Sequence, residues 1–147
     1  MNEAMIDNWN KVVRKEDKVI MNGDFALCGK ERIIEIGLKL NGRKTLIFGN
    51  HEGASLKTYY DAGFEMVSKY PILVDEFFIV SHMPQYVQEN SSYVNVFAHV
   101  HNNPAFKDVS ARGFCTSAER INYTPINLDE IIERMRLSEC TDIDDKL

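Results

Sequence analysis

The sequence predicts an α/β layered domain with mixed sheets: strand-like apolar runs alternate with amphipathic helical stretches in the first half, and strands dominate the second. The first two runs each end in a glycine turn carrying polar residues, and all four histidines follow or end a strand-like stretch. With 147 residues, 44% hydrophobic and 27% charged, the chain fits a single domain over 1–147.

The elements follow in order. Met5, Trp9, Val12 and Val13 recur at helical spacing, with Asp7, Asn8, Lys11 and Arg14 between them, so an amphipathic helix opens the chain. Val19-Ile20-Met21 is a short buried strand ending at Asn22-Gly23-Asp24. Residues 30–41 read as a second helix on Ile33, Ile34, Leu38 and Leu40, closed at Asn41-Gly42 where a left-handed cap is cheap. Lys44 to Phe48 repeats the strand arrangement and runs into Gly49-Asn50-His51-Glu52. A short helix over 54–62 is closed by Gly63, and 64–74 is an irregular strand region broken at Pro71. Phe77-Phe78-Ile79-Val80 ends in Ser81-His82, and the polar stretch 83–92 is a loop of the kind that lies over a site. Tyr93 to Ala98 is a fourth strand leading into His99-Val100-His101, and alternation along it predicts both histidines on one face. A last strand is expected near Ile121-Asn122-Tyr123. Asn127 with Glu130 then resembles a capping box for a helix through Met135, with residues 141–147 frayed.

Composition excludes several classes. A net charge of −5 argues against generic binding to nucleic acid or anionic membrane, which needs excess Lys and Arg. Nucleic acid enters only as a substrate. Cys28, Cys115 and Cys140 are odd in number and unpatterned, as expected of reduced thiols in a cytoplasmic protein. The acidic N-terminus has no apolar core for a signal peptide or a membrane span.

The candidate chemistry is metal chemistry. Neutral imidazoles bind ions of the Mn, Fe, Zn or Ni class, a carboxylate such as Asp24 can bridge two ions, and Asn50 offers an uncharged carbonyl oxygen. An ion held by Asp24, Asn50, His82 and His99 meets one formal negative charge and keeps its attraction for an anion, phosphate being the obvious one. Two ions about 3.5–4 Å apart lower the pKa of bound water and clamp both oxygens of an in-line displacement. His51, placed beside Asn50 and oriented by Glu52, suits proton donation to a departing alkoxide.

Gly23-Asp24, Gly49-Asn50-His51-Glu52, Ser81-His82 and Ala98-His99-Val100-His101 resemble, in order and spacing, four motifs of the calcineurin-like metallophosphoesterases, over residues 1 to about 123. The resemblance implies a two-layered β-sandwich flanked by helices, with a dinuclear centre at the strand ends. Asp24 would bridge both ions; Asn50, His82 and His99 would complete one site; His101 would belong to the other; His51 would be the proton donor. Ala98 stands where the family usually has glycine.

The larger departure is the family's opening strand ending in Asp-x-His, which nothing in residues 1–23 supplies: Asp7 is followed by Asn8 and Trp9. The fold is then expected as a sandwich truncated at its N-terminal strand, with one ion held firmly and a second weakly through Asp24 and His101. Either the chain starts downstream of the missing motif, or it is naturally short and folds with a partner strand. An exposed sheet edge would favour a homo-oligomer. The function expected is hydrolysis of a phosphomonoester or phosphodiester, a nucleotide among the candidates. The alternative is a catalytically impaired derivative serving as a binding or inhibitor protein for a nucleotide, a nucleic acid or a protein.

Overall fold

The computed structural model describes the backbone of residues 2–144 and the side chains of residues 2–136. Its order is α1 (Glu3–Val12), β1 (Lys18–Met21), α2 (Lys30–Lys39), β2 (Arg43–Ile47), α3 (Leu56–Asp61), β3 (Phe64–Ser68), β4 (Ile72–Val74), β5 (Phe78–Val80), β6 (Val94–Phe97), β7 (Val109–Ser110), β8 (Gly113–Cys115) and α4 (Leu128–Asp144). The described residues form an α/β fold with a parallel three-stranded sheet, β1-β2-β3, and a mixed five-stranded sheet, β4-β5-β6-β8-β7.

Strand alternation explains how the layers meet. In β2, Leu46 faces a core built with Ile6 and Trp9 of α1, Ile33 and Ile36 of α2, Tyr59 of α3 and Phe64 of β3. Its neighbour Ile47 faces the opposite way, into a second core with Phe78, Val80, Val94, Val96, Phe114 and Ile131. In β1, Val19 and Met21 pack toward the first core and Ile20 toward the second. The three-stranded sheet thus carries helices on one face, while its other face shares a core with the five-stranded sheet and α4.

Polar pairing locks α1 to the corner between α2 and β2. The Trp9 indole donates to Asn41 O at 2.9 Å, Asn10 Nδ2 to Lys39 O at 2.8 Å, and Asn41 N to Asn10 Oδ1 at 2.8 Å. The Lys39 carbonyl at the α2 terminus, which lacks a helical partner, is satisfied in this way. Val12 and Leu38, expected on the buried stripes, are exposed, and Ile6 and Ile36 take those places.

Lys44, in β2, is buried, with its ammonium donating to Leu40 O at 2.9 Å and Gly42 O at 3.3 Å. Burial depresses its pKa below the ordinary 10.5, opposed by the nearby Glu65 charge. The folded chain therefore binds fewer protons at this group than the unfolded chain as pH climbs toward 10.5. Stability from Lys44 should rise over that window. Urea unfolding from neutral pH toward 10.5 should show this rise relative to a Lys44→Met variant, in which it disappears.

Other expectations are corrected. The stretch Ile121–Tyr123 is a turn, with Asn122 and Tyr123 at φ 52° and 53°, a left-handed geometry that no strand accommodates. Between β6 and α4 the strands are instead β7 and β8, too short to show a period. The region 64–74 splits between sheets, β3 joining the first and β4 the second. At α4, Asn127 Oδ1 accepts from Asp129 N at 2.8 Å, but Glu130 turns to Arg134 instead of completing a capping box. Helical backbone continues to Asp144, and the expectation of fraying beyond it lies outside the described residues. Cys28 and Cys115 are free thiols, and no described helix is long and apolar enough to cross a membrane.

Candidate metal centre

The site forms where β1, β2, β5 and β6 deliver their carboxyl ends. After β1 the chain turns through Gly23 at φ 90° and Asp24 at φ 52°. After β2, Gly49 passes so close that a Cβ on it would lie 2.7 Å from Asp24 N and 2.8 Å from His82 Cε1. Only glycine lets the two turns approach like this.

Glu52 ties them together: its Oε1 accepts from Phe25 N at 2.8 Å and its Oε2 from Gly49 N. This carboxylate is therefore committed to the two loops. It is not on the His51 ring, where the sequence pattern suggested it.

His82 follows β5 and is buried, with Nδ1 2.6 Å from Asn22 O. A carbonyl can only accept, so the proton sits on Nδ1 and leaves the Nε2 lone pair facing inward. Around that lone pair gather Asn50 Oδ1 at 2.9 Å, His99 Nδ1 at 3.1 Å and Asp24 Oδ2 at 3.5 Å. Asn50 Oδ1 and His99 Nδ1 are 3.0 Å apart. Such separations suit ligand atoms each about 2.0–2.2 Å from one ion. One imidazole proton on His99 Nδ1 can serve only part of this set, whereas a divalent cation satisfies all of it. Asp24, His82 and His99 can hold a metal ion, their ligand atoms lying within 4.8 Å of one another.

His99 and His101 do not share a strand face. β6 ends at Phe97, and the two histidines take φ 61° and 48° in the turn beyond it. Left-handed residues of this kind cost energy and concentrate where function holds them. His99 joins Asp24, Asn50 and His82. His101 stands apart, exposed, with Nδ1 3.0 Å from Glu119 Oε1.

His51 is exposed, and its backbone N–H donates to Asp24 Oδ1 at 3.0 Å. Its side chain borders a shallow depression with Ala26, Leu27 and Cys28.

Three contributors escaped the sequence reading. Asn22 supplies the carbonyl that orients His82, and its Nδ2 reaches Thr116 Oγ1 at 3.1 Å. Glu119 and Arg120 both bond to His101. Burial raises the Glu119 carboxyl, but its own backbone N–H, the His101 ring and the Arg120 charge more than reverse this and hold it below the usual carboxylate value. The signal for these residues is a long-range contact, which no local pattern displays. Asp24, His82, His99, His101 and Glu119 line one end of a groove of about 740 Å³ that runs along β1 to Trp9 and Val13.

No family model matches the chain. It is 29% identical over 143 residues to an uncharacterized protein of Methanocaldococcus jannaschii, MJ1445, the match covering 90% of this chain and 74% of that protein. The crystal structure of AQ665 from Aquifex aeolicus, a protein of unknown function, superposes with a TM-score of 0.64 at 23% identity, covering 88% of this chain and 82% of that one. Pseudomonas putida nuclease MPE gives a TM-score of 0.48 at 21% identity over 67% of this chain and 52% of its own. The similarity to the Aquifex protein shows that the two chains share a fold.

Proposed function

We propose that this protein is a metal-dependent phosphoesterase of the calcineurin-like type, its sheets arranged as that family's sandwich, cleaving a phosphomonoester or phosphodiester with metal-activated water. The observation that supports the reading best is the meeting of Asp24, Asn50, His82 and His99 around one point with a single formal negative charge. An ion of the Mn, Fe, Zn or Ni class bound there supplies Lewis acidity and a nucleophilic water near neutral pH.

The chain's own residues do the rest. Asn22 holds the His82 ring in the ligating tautomer, and Glu52 holds the Gly23 and Gly49 turns in register. His51 stands exposed next to Asn50, joined through its backbone to Asp24, and its imidazole donates the proton to the leaving alkoxide. Removing a general acid of this kind costs about 10²–10⁴-fold in rate.

Hydrolysis of aryl phosphate mono- and diesters with added Mn tests the proposal. Turnover should fall by about that factor in His51→Ala while metal binding persists. Hydrolysis that survives Asp24→Ala would refute it, because turnover without the central carboxylate points to a contaminant. The position of His101 outside the Asp24, His82 and His99 group favours a second reading, an impaired derivative that binds its ligand without turnover. One ion per chain with no hydrolysis would select that reading.

We further propose a cytoplasmic homo-oligomer assembled through the outer edge of β1, which pairs with β2 alone and borders the groove. Analytical ultracentrifugation should show a dimer or larger species. A monomer at high concentration would count against it.

A further inference from the structure

His101 is held from two directions by adjacent residues in sequence. Arg120 has its side chain only 6% exposed, and its guanidinium donates to His101 O, to Asn103 O at 2.8 Å, to Phe106 O at 2.7 Å and to Asp108 Oδ1 at 2.6 Å. This fork fastens the loop over 101–108 and keeps the His101 backbone in its left-handed turn. Glu119 acts on the ring, with Oε1 3.0 Å from His101 Nδ1. Its Oε2 is buried and has no hydrogen-bond partner among the described residues.

A carboxylate accepts, so a neutral His101 carries its proton on Nδ1. Nε2 is then left with a free lone pair on a ring that lines the same groove as Asp24. This is the carboxylate–histidine arrangement that fixes the tautomer and orientation of a ligating imidazole. Glu119 Oε1 is occupied by the His101 ring, so through this oxygen Glu119 serves the imidazole.

We propose that Glu119 and Arg120 form a positioning unit that presents His101 Nε2 to a second divalent cation shared with Asp24. The function of this unit rests on the phosphoesterase reading above; the pairing itself does not. Glu119 and Arg120 are positioning residues for His101, the first acting on its ring and the second on its backbone.

The test combines imidazole nitrogen NMR on the metal-free protein with Mn and Zn titration of the natural chain, Glu119→Ala and Glu119→Gln. In the natural chain His101 should be the Nδ1–H tautomer. In Glu119→Ala it should shift toward the Nε2–H form, and the second metal equivalent should bind about 10–100-fold more weakly while the first is unchanged. Glu119→Gln, which keeps an acceptor oxygen, should restore part of both. An unchanged tautomer in Glu119→Ala, or a second equivalent that binds as before, would overturn the proposal. Because the tautomer is read without metal or substrate, it decides the pairing even if the chain hydrolyses nothing.

Discussion

An Asp24→Ala protein should bind its first equivalent of Mn or Zn more than about 100-fold more weakly than the natural chain, exceeding the roughly 10–100-fold lost when only an outer-shell partner is removed. The reason is charge. Asn50, His82 and His99 are neutral ligands, and Asp24 alone offsets the cation's desolvation. Asp24→Asn, which keeps an acceptor for the His51 N–H but not the charge, should lose nearly as much. Stability without metal should change little. One exposed hydrogen bond, worth about 0.5–1.5 kcal/mol, disappears, and a carboxylate crowded by other lone pairs goes with it. Calorimetric titration beside urea unfolding separates the two effects. Equal metal affinity in the natural chain and Asp24→Ala would remove Asp24 from the site.

Replacing Asn95 by leucine should destabilise the fold by about 2–4 kcal/mol, because about 1–3 kcal/mol attaches to each buried polar group left without a partner. Asn95 is fully buried in β6 and every hydrogen-bonding atom of its amide is used. Nδ2 donates to Ile79 O at 2.8 Å and Ser81 Oγ at 2.8 Å, and Oδ1 accepts from Gln85 N at 2.7 Å. Ser81 in turn donates to Met83 O at 2.7 Å. These bonds brace the chain on both sides of His82. The substitution should therefore weaken metal binding as well, by less than Asp24→Ala. Denaturant midpoints and the same calorimetry test both parts, and a variant as stable as the natural chain would show that the network is dispensable.

How much of this could be read from the chain depends on the range of the interaction. The turns after β1 and β2 were legible, because Gly-Asp and Gly-Asn-His punctuate short apolar runs. The structure brings Asp24, Asn50, His82 and His99 together, as those strand ends suggested. The local geometry of His99 and His101 was not legible. Alternation assumes extended backbone, whereas the chain leaves β6 at Phe97 and turns through left-handed residues. Ile121-Asn122-Tyr123 misled for the converse reason: its composition favours a strand, but Ile121 N and Tyr123 N donate back to Ser117 O and Ala118 O in a left-handed turn that overrides local preference. Asn95 breaks the apolar run of its strand, a sign of a buried network, yet its partners are distant in sequence. Glu119 and Arg120 gave no sign at all, since their roles exist only once 101–108 folds over them.

X-ray absorption at the edge of a bound Mn or Zn ion reads the ligands that Asp24, Asn50, His82 and His99 provide. Two imidazole ligands with oxygen ligands at about 2.0–2.2 Å are expected, falling to one imidazole in His82→Ala. Absorption without imidazole scattering, or an imidazole count unchanged in His82→Ala, would contradict this ligand set.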